Sequence, residues 1–371
     1  MIRWATHTEI TEPKARAFYN MVSDRPTETL IANVQTEVKI VSIADKWFLP
    51  VTINNTEWEN SYVCSPYTAF ITYSREELDR NVKNLLLRKL IHALLYFCAG
   101  WFKRKQLNKV IHVNNFLFST NPYPDWMGTH LPHLTDFLTA QYPDHAIVFR
   151  SLNEGQHTML MKEFEQAGYL LSASRQVYLF HRRAQTFSRH RNVKLDRRKV
   201  RQNGLQWIGP EAMGGYLEQA RLLYNKLYLE KYSPLNPQYN LLFFQEAYQS
   251  GMIRFYGYID KQQTLKAFSG IFESETTITS PLVGYDTSAP QKEELYIHAS
   301  QLVFKQMLET DQVLNLSSGA ASFKRLRGGQ PHIEYSAIYC KHLPKDRQRL
   351  FRILKFITNK IGVPILKKYK L

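Results

Sequence analysis

At 371 residues the chain is long enough for two domains, and with 44% hydrophobic and 13% aromatic residues it can bury a substantial core, which excludes a disordered chain. Cys64, Cys98 and Cys340 lie far apart and form no CxxC pair, which excludes a disulfide scaffold and a cysteine-built zinc site and fits a reducing compartment. The net charge of +16 is concentrated: Arg175–Arg201 sets ten basic residues against Asp196, Lys345–Leu371 sets nine against Asp346, and the remainder is close to neutral. Such concentration points to a polyanionic partner, whether RNA, a phosphorylated substrate or an anionic membrane surface. The opening MIRWATHTEITEPK lacks the apolar core of a signal peptide. The run from Leu90 to Phe102, interrupted by His92 and flanked by bases, reads as too short to span a bilayer. The expectation is a cytoplasmic protein with the option of a peripheral position on the inner membrane face.

In chain order, β-branched and aromatic runs predict strands at Val38–Ile43, Trp47–Ile53 and Ala69–Tyr73. A long helix over Glu76–Arg104 places Leu78, Val82, Leu86, Leu90, Ala93 and Phe97 on one face. Val110–Phe118 reads as a strand, Leu131–Gln141 as a helix and Ala146–Arg150 as a strand. Gln156–Ala167 is a helix closed by Gly168, and Leu170–Phe180 returns as strands. After the basic stretch 181–204 the alternation starts afresh. Helices are expected over Glu211–Glu230 and Tyr239–Ser250, followed by a meander of Ile253–Ile259, Thr264–Glu273 and Thr276–Tyr285. A helix over Glu294–Leu308, a strand at Val313–Leu316, a short helix over Ala320–Arg327 and a strand at Ile333–Cys340 complete it. The tail 345–361 segregates Leu350, Ile353, Leu354, Ile357 and Ile361 from Lys345, Arg349, Arg352, Lys355 and Lys360 on a helical wheel, and Gly362 and Pro364 are expected to stop it. This predicts a basic amphipathic helix suited to an anionic membrane, or one packed on the second module.

The division expected is therefore a first module over 1–180, a basic connecting segment over 181–204, a second module over 205–344 and a basic tail over 345–371. The order helix, helix, three strands, helix, strand, helix, strand is that of the GNAT acyltransferase fold. Local sequence narrows the resemblance. LDRRKVRQNGLQW (195–207), YNKLYLEKY (224–232), VGYD (283–286) and LNLSSGAASFKRLRGGQPHIEYSAIY (314–339) resemble the FemAB/FemX-like branch of that superfamily. The resemblance is local over roughly 195–340 and architectural over 1–180. It implies an α/β (α+β) fold of two tandem GNAT-like modules, each a central mixed sheet flanked by helices, plus the basic C-terminal helix. It implies an acyltransferase that forms an amide on an amine acceptor, such as a cell-envelope precursor or a natural product. The donor it implies is aminoacyl-tRNA or a thioester on CoA or a carrier protein, and no tightly bound cofactor is expected.

A GNAT holds the CoA pyrophosphate on N–H groups of a glycine-rich loop at a helix N-terminus. The equivalent stretch here, Asp286–Glu294, has no glycine and puts Glu293 and Glu294 in the first helical turn, where they suit the helix dipole but repel phosphate. CoA is not expected there. The cluster SSGAASFKRLRGG offers more: backbone N–H groups of Ser317, Ser318 and Gly319 at a strand end could cradle an oxyanion, with Lys324, Arg325 and Arg327 following within two turns. The resemblance gives Phe323 and Lys324 the roles of contacting the acceptor end of the tRNA and stabilising charge. Asp286, at the end of the VGYD strand, is the first candidate for general base, with Tyr285 and Glu334 behind it and substrate-assisted proton transfer as an alternative. Arg197, Arg198 and Arg201 are spaced for phosphate contact from one helical face. The twelve histidines form no HxxxH or HxH pair, so no metal is expected. A degenerate GNAT pair that binds RNA or membrane without catalysis is the alternative function.

Overall fold

The computed structural model describes residues 1–181, 187 and 190–369. Arg182, Arg183 and Arg189 of the basic segment, and Lys370 of the tail, lie outside the described residues. The strands are β1 (Ile2–Trp4), β2 (Glu37–Ile43), β3 (Trp47–Asn54), β4 (Val110–Val113), β5 (Ala146–Asn153), β6 (Leu170–His181), β7 (Gln206–Ile208), β8 (Arg254–Ile259), β9 (Leu265–Glu273), β10 (Thr277–Tyr285), β11 (Val313–Asn315) and β12 (Gln330–Tyr339). The main helices are α1 (Pro13–Val22), α2 (Tyr73–Asn81), α3 (Leu85–Arg104), α4 (Leu131–Gln141), α5 (Thr158–Gln166), α6 (Arg191–Gln202), α7 (Leu217–Tyr224), α8 (Leu241–Gln249), α9 (Leu295–Glu309), α10 (Ala321–Arg325), α11 (Lys345–Ile357) and α12 (Val363–Tyr369).

The twelve strands form one sheet in the order β1-β2-β3-β4-β5-β12-β6-β11-β10-β9-β8-β7. Read inward from either edge, the halves match. Three antiparallel steps lead to a parallel pair, β4 with β5 in the first half and β10 with β11 in the second. Each half then meets a strand from the other half of the sequence: β5 pairs with β12, and β11 with β6. The exchanged strands pair with each other over Leu170–Leu179 and Gln330–Ile338. A cut near 180 therefore divides the chain but not the sheet, because β12 completes the first half. This mixed sheet with helices on both faces is the tandem GNAT-like arrangement expected from the sequence.

Apolar faces explain the layering. Alternation in β3 and β5 turns Val51 and Phe149 to one side, where Leu134 and Leu138 of α4 and Phe164 of α5 cover them. Val110 and Val148 face the other side, under Phe102 of α3 and Leu350, Phe351 and Leu354 of α11. In the second half α7 and α8 cover one face together with α1. Helix α9 covers the opposite face, with Val193 of α6 packed among Leu302, Val303 and Phe304. Within the basic segment, Arg191–Gln202 is helical and anchored through Val193.

Several expectations change. Ala69–Tyr73 is helical, a π-turn at Thr68–Thr72 running into α2, because the Ser65 hydroxyl accepts the Thr68 N–H (3.0 Å) and Asn108 Oδ1 accepts the Tyr67 N–H (2.9 Å), so capping overrides the β-branched run. The helix predicted over 76–104 breaks at Val82–Asn84, where Asn84 caps the Leu87 N–H at 2.9 Å. Its second part turns Leu95, Ala99 and Phe102 to the core and leaves Leu86, Leu90 and Phe97 70%, 61% and 77% exposed. Starting at Leu85, this helix is long and apolar enough by length and composition to cross a bilayer, unlike the shorter run counted from Leu90. Of the tail's apolar arc, Leu350 and Leu354 pack with Phe351 on first-half residues such as Phe102 and Val148 and on the end of β12, while Ile361 stays exposed. Gly362 and Pro364 do not end it: a π-turn over Thr358–Gly362 widens the helix into α12, leaving room for the proline ring that a regular turn would clash with.

Candidate active site at the splay of the second half

Strands β10 and β11 pair only at Thr277–Thr279 with Val313–Asn315. The register along β9 slips between Thr279 and Leu282, around Pro281, which has no N–H to give a ladder and so suits a bulge. Beyond it β10 continues to Tyr285 while β11 ends at Asn315, and a wedge opens between them. The Thr279 hydroxyl donates to the Asn315 carbonyl at 2.9 Å and closes the apex. Gly284 permits the wall: a Cβ there would lie 2.6 Å from the carbonyl carbon of Leu223 and 2.7 Å from Tyr224 N, so only glycine lets α7 lie this close.

Aromatic side chains line the mouth. Tyr285 meets Tyr296 at 5.8 Å between ring centroids, and Tyr296 meets Phe323 at 4.5 Å. Tyr224, Tyr228 and Tyr232 run along one helical face from the core, where Tyr224 is buried, to the surface at Tyr232, with centroid separations of 4.7 and 6.1 Å. The first half contributes Tyr62 and Tyr73, paired at 5.2 Å. Burial, with neighbouring phenols, raises the pKa of Tyr73, Tyr228 and Tyr296, so these hydroxyls stay protonated donors. Of this wall only Tyr285 and Phe323 were predicted. The i, i+4 spacing of Tyr224, Tyr228 and Tyr232 was visible, but it reads equally as a core stripe.

The loop after β11 holds Ser317, Gly319 and Ala320 at φ of 57°, 78° and 47°, left-handed values that are strained for serine and alanine. The Ser317 N–H donates to Asn315 Oδ1 at 2.9 Å and is not offered to an anion. Three carbonyls of this loop region converge on one side chain. Lys324, 4% exposed, donates from Nζ to the carbonyls of Leu316 (2.7 Å), Ser317 (3.3 Å) and Ser318 (2.7 Å). Its burial, and then Arg175, lower its pKa to about 7. Lys324 thus shapes the loop and holds a charge poised near neutrality.

The remaining predicted residues divide. Arg325 reaches the Tyr178 hydroxyl at 3.3 Å and lies over that ring. Arg327, expected at a substrate, is instead buried in a two-point ion pair with Asp196, its Nη2 2.8 Å from Oδ1, and lies 3.4 Å from the centroid of Phe323. It pins Phe323 and ties α6 to the wedge. Asp286, expected as the base, accepts from the Ser288 hydroxyl (2.5 Å) and N–H (3.1 Å) and faces Lys226 and Lys266. Burial would raise its pKa, but the Ser288 bonds and Lys226 hold it at about 2, the value of a weak base. Glu334 pairs with Arg175, Oε1 to Nε at 2.8 Å, and Arg175 continues to the Ser119 carbonyl at 2.6 Å. Arg198 and Arg201 are exposed on α6 and Arg197 is half-buried, with Arg201 Nε donating to the Arg197 carbonyl. Lys199 pairs with Glu294, and Asn203 donates to the Glu293 carbonyl at 3.1 Å, so α6 runs beside the Asp286–Glu294 stretch. Glu293 and Glu294 precede α9 rather than forming its first turn, Glu294 being its N-cap at φ 51°. The stretch Asp286–Glu294 contains no glycine.

The first half has the same splay, filled. Strand β4 leaves β5 at Asn114, and its loop passes Leu117, both at positive φ. Arg150 enters the gap and donates to the carbonyls of Val63 (2.7 Å) and Ser119 (3.4 Å). Phe116 and Phe118 close it against Phe272.

A parallel pair that splays in each half, a bulged strand beside it in the second, and one sheet shared by the two halves define a tandem GNAT-like fold. Among solved structures, a conserved protein of unknown function from Bacteroides thetaiotaomicron is 9% identical, matches 92% of this chain and all of that one, and has a TM-score of 0.50. FemX is 8% identical over 61% of this chain and 78% of that chain, TM-score 0.47. A tandem GNAT protein from the clavulanic acid biosynthesis pathway is 8% identical over 93% and 99%, TM-score 0.40. At these identities the likeness is one of fold. No family profile and no curated protein matches the sequence.

Proposed function

We propose that this protein transfers an acyl or aminoacyl group to an amine, with the reacting carbonyl at the mouth of the β10–β11 splay. The observation that carries this reading is the wedge itself: a buried lysine poised near neutrality at its floor, under a half-open wall of tyrosines and Phe323. The amine attacks the acyl carbon, a C–N bond forms, and the bond to the donor oxygen or sulfur breaks. Lys324 supplies positive charge to the developing oxyanion, and the amine proton passes to the departing group. Tyr285 and Tyr296 orient the acyl chain, and Phe323, held by Arg327, packs against the donor. Asp286 caps the loop and leaves proton transfer to the substrates.

The donor we favour is aminoacyl-tRNA over a CoA or carrier-protein thioester. The Asp286–Glu294 stretch is acidic and glycine-free, while α6 beside it exposes Arg198 and Arg201 to a phosphate backbone. One observation favours a second reading, a binding module without catalysis: the three donors of Lys324 are directed to carbonyls. The test offers the full chain a pool of tRNA charged with labelled amino acids, and separately labelled acyl-CoA, with a mixture of amine acceptors. Label moving from tRNA into an amide supports the proposal. Sub-micromolar CoA binding at the α9 N-terminus overturns the donor assignment, and tRNA binding without transfer supports the second reading.

A further inference from the structure

The α3 part of the stripe that the sequence set on one face, Leu86, Leu90, Ala93 and Phe97, is exposed. Exposed positions recur along the helix at Leu86, Leu90, Ala93, Phe97 and Gly100, with Tyr96 beside them, which is one continuous face. The opposite face holds the helix to the sheet through Leu95, Ala99 and Phe102. The helix has no acidic residue, and Lys89, Lys103 and Arg104 are exposed on it. The tail borders it. Lys105, just past the end of α3, pairs with Asp346 of α11 at 2.7 Å, and Tyr369 packs in the same cluster as Ile91 and Trp101. Leu350, Phe351 and Leu354 of α11 are spent on this packing, so the exposed contribution of the tail is chiefly charge: Arg349, Arg352, Lys360, Lys367 and Lys368. Phe356 and Ile361 add exposed apolar surface.

We propose that the outward face of α3 docks on an anionic lipid bilayer. The helix lies in the plane of the interface, with Leu86, Leu90, Tyr96 and Phe97 entering the acyl boundary and the bases of α3 and the tail on headgroup phosphates. A spanning orientation is excluded by Leu95, Ala99 and Phe102, which would have to leave the core. A second copy is disfavoured because apposed faces would bring like charges together. A nucleic acid gains nothing from Leu86 and Leu90. The inference is independent of the acyl-transfer reading, since its readout is lipid binding alone.

The test is co-sedimentation of the full chain with vesicles of phosphatidylglycerol and phosphatidylcholine, and of phosphatidylcholine alone, at low and high salt. Wild type should bind the anionic vesicles and lose binding as salt rises. Leu90→Gln with Phe97→Gln should weaken that binding at least about tenfold, since two large apolar groups no longer enter the membrane. The melting temperature should be unchanged, because both side chains are exposed. Lys89→Gln with Arg104→Gln should weaken binding by a smaller factor and flatten its salt dependence. Absence of binding to anionic vesicles, equal binding to neutral ones, or equal binding by the Leu90/Phe97 variant overturns the proposal. So does sedimentation showing a wild-type dimer that this variant dissociates, with no lipid bound.

Discussion

Both halves of the sheet open a gap between parallel strands, and both place a cation against carbonyls in it. Arg150 serves Val63 and Ser119 in the first half, and Lys324 serves Leu316, Ser317 and Ser318 in the second. The fates differ because the loops that leave the two gaps differ. In the first half the loop 114–122 folds back as a plug, with the Asn115 amide bonded to Val63 and Thr52 and Phe118 packed on Phe272. In the second half the loop moves straight into α10, and phenols remain at the rim. The cations differ as well. Arginine stays charged and serves as a permanent strut, whereas a buried lysine near 7 can change charge at working pH. One scaffold thus yields a structural joint in one half and a chemically poised floor in the other.

The largest effect should come from the link between the two gaps. Arg175 joins Glu334 of β12 to the first-half plug, and Arg175→Met leaves a buried carboxylate without its partner. We expect a loss of about 3–5 kcal/mol in denaturant unfolding. A loss under about 1 kcal/mol would show that the halves do not depend on this link. Next, Lys324→Met should reduce transfer roughly 10²–10³-fold, the usual cost of losing an oxyanion-stabilising group. Exposed Lys305→Met should be nearly silent. Wild-type turnover in the Lys324 variant would make the two cations alike, both structural.

Arg150→Met should be the mirror case: the Val63 and Ser119 carbonyls keep Asn115 and Arg175 as donors, so the cost is about 0.5–1.5 kcal/mol for each hydrogen bond lost, while transfer per folded molecule is retained. A catalytic defect without a stability defect would break the comparison. The pH dependence sharpens it. The ammonium of Lys324 is lost as pH rises through about 7, so turnover should fall there if its charge works in the reaction. Stability should move the other way. The folded value lies below the usual 10.5, so the unfolded chain binds more protons between about 7 and 10.5, and stability rises with pH across that window. Unfolding titrations of Lys324→Met should lack this rise. The smallest effect belongs to α6: Arg198→Gln with Arg201→Gln should leave melting unchanged and lower the salt dependence of tRNA binding by about one phosphate contact each.

The order of strands and helices was legible wherever periodicity had one reading, as in the second-half meander or in α4, found at its predicted bounds. The VGYD and SSGAASFKRLRGG motifs located the wedge. What they could not give was which groups the fold would consume. Arg327 and Asp286 look like site residues in sequence, but Asp196, more than a hundred residues away, takes the first, and Ser288 with two lysines takes the second.

By itself the sequence determined that the chain builds a mixed sheet from two similar halves and concentrates its charge, because side-chain period and composition are local properties. Only the tertiary structure decided that β6 and β12 change places, that α3 shows its second apolar stripe to solvent, and that Tyr62 and Tyr73 join the tyrosines of the second half. The physical reason is that helix α3 is apolar on both sides, so its own pattern cannot choose a face. Pairing across more than a hundred residues is likewise settled by which surfaces the assembled core leaves to be covered.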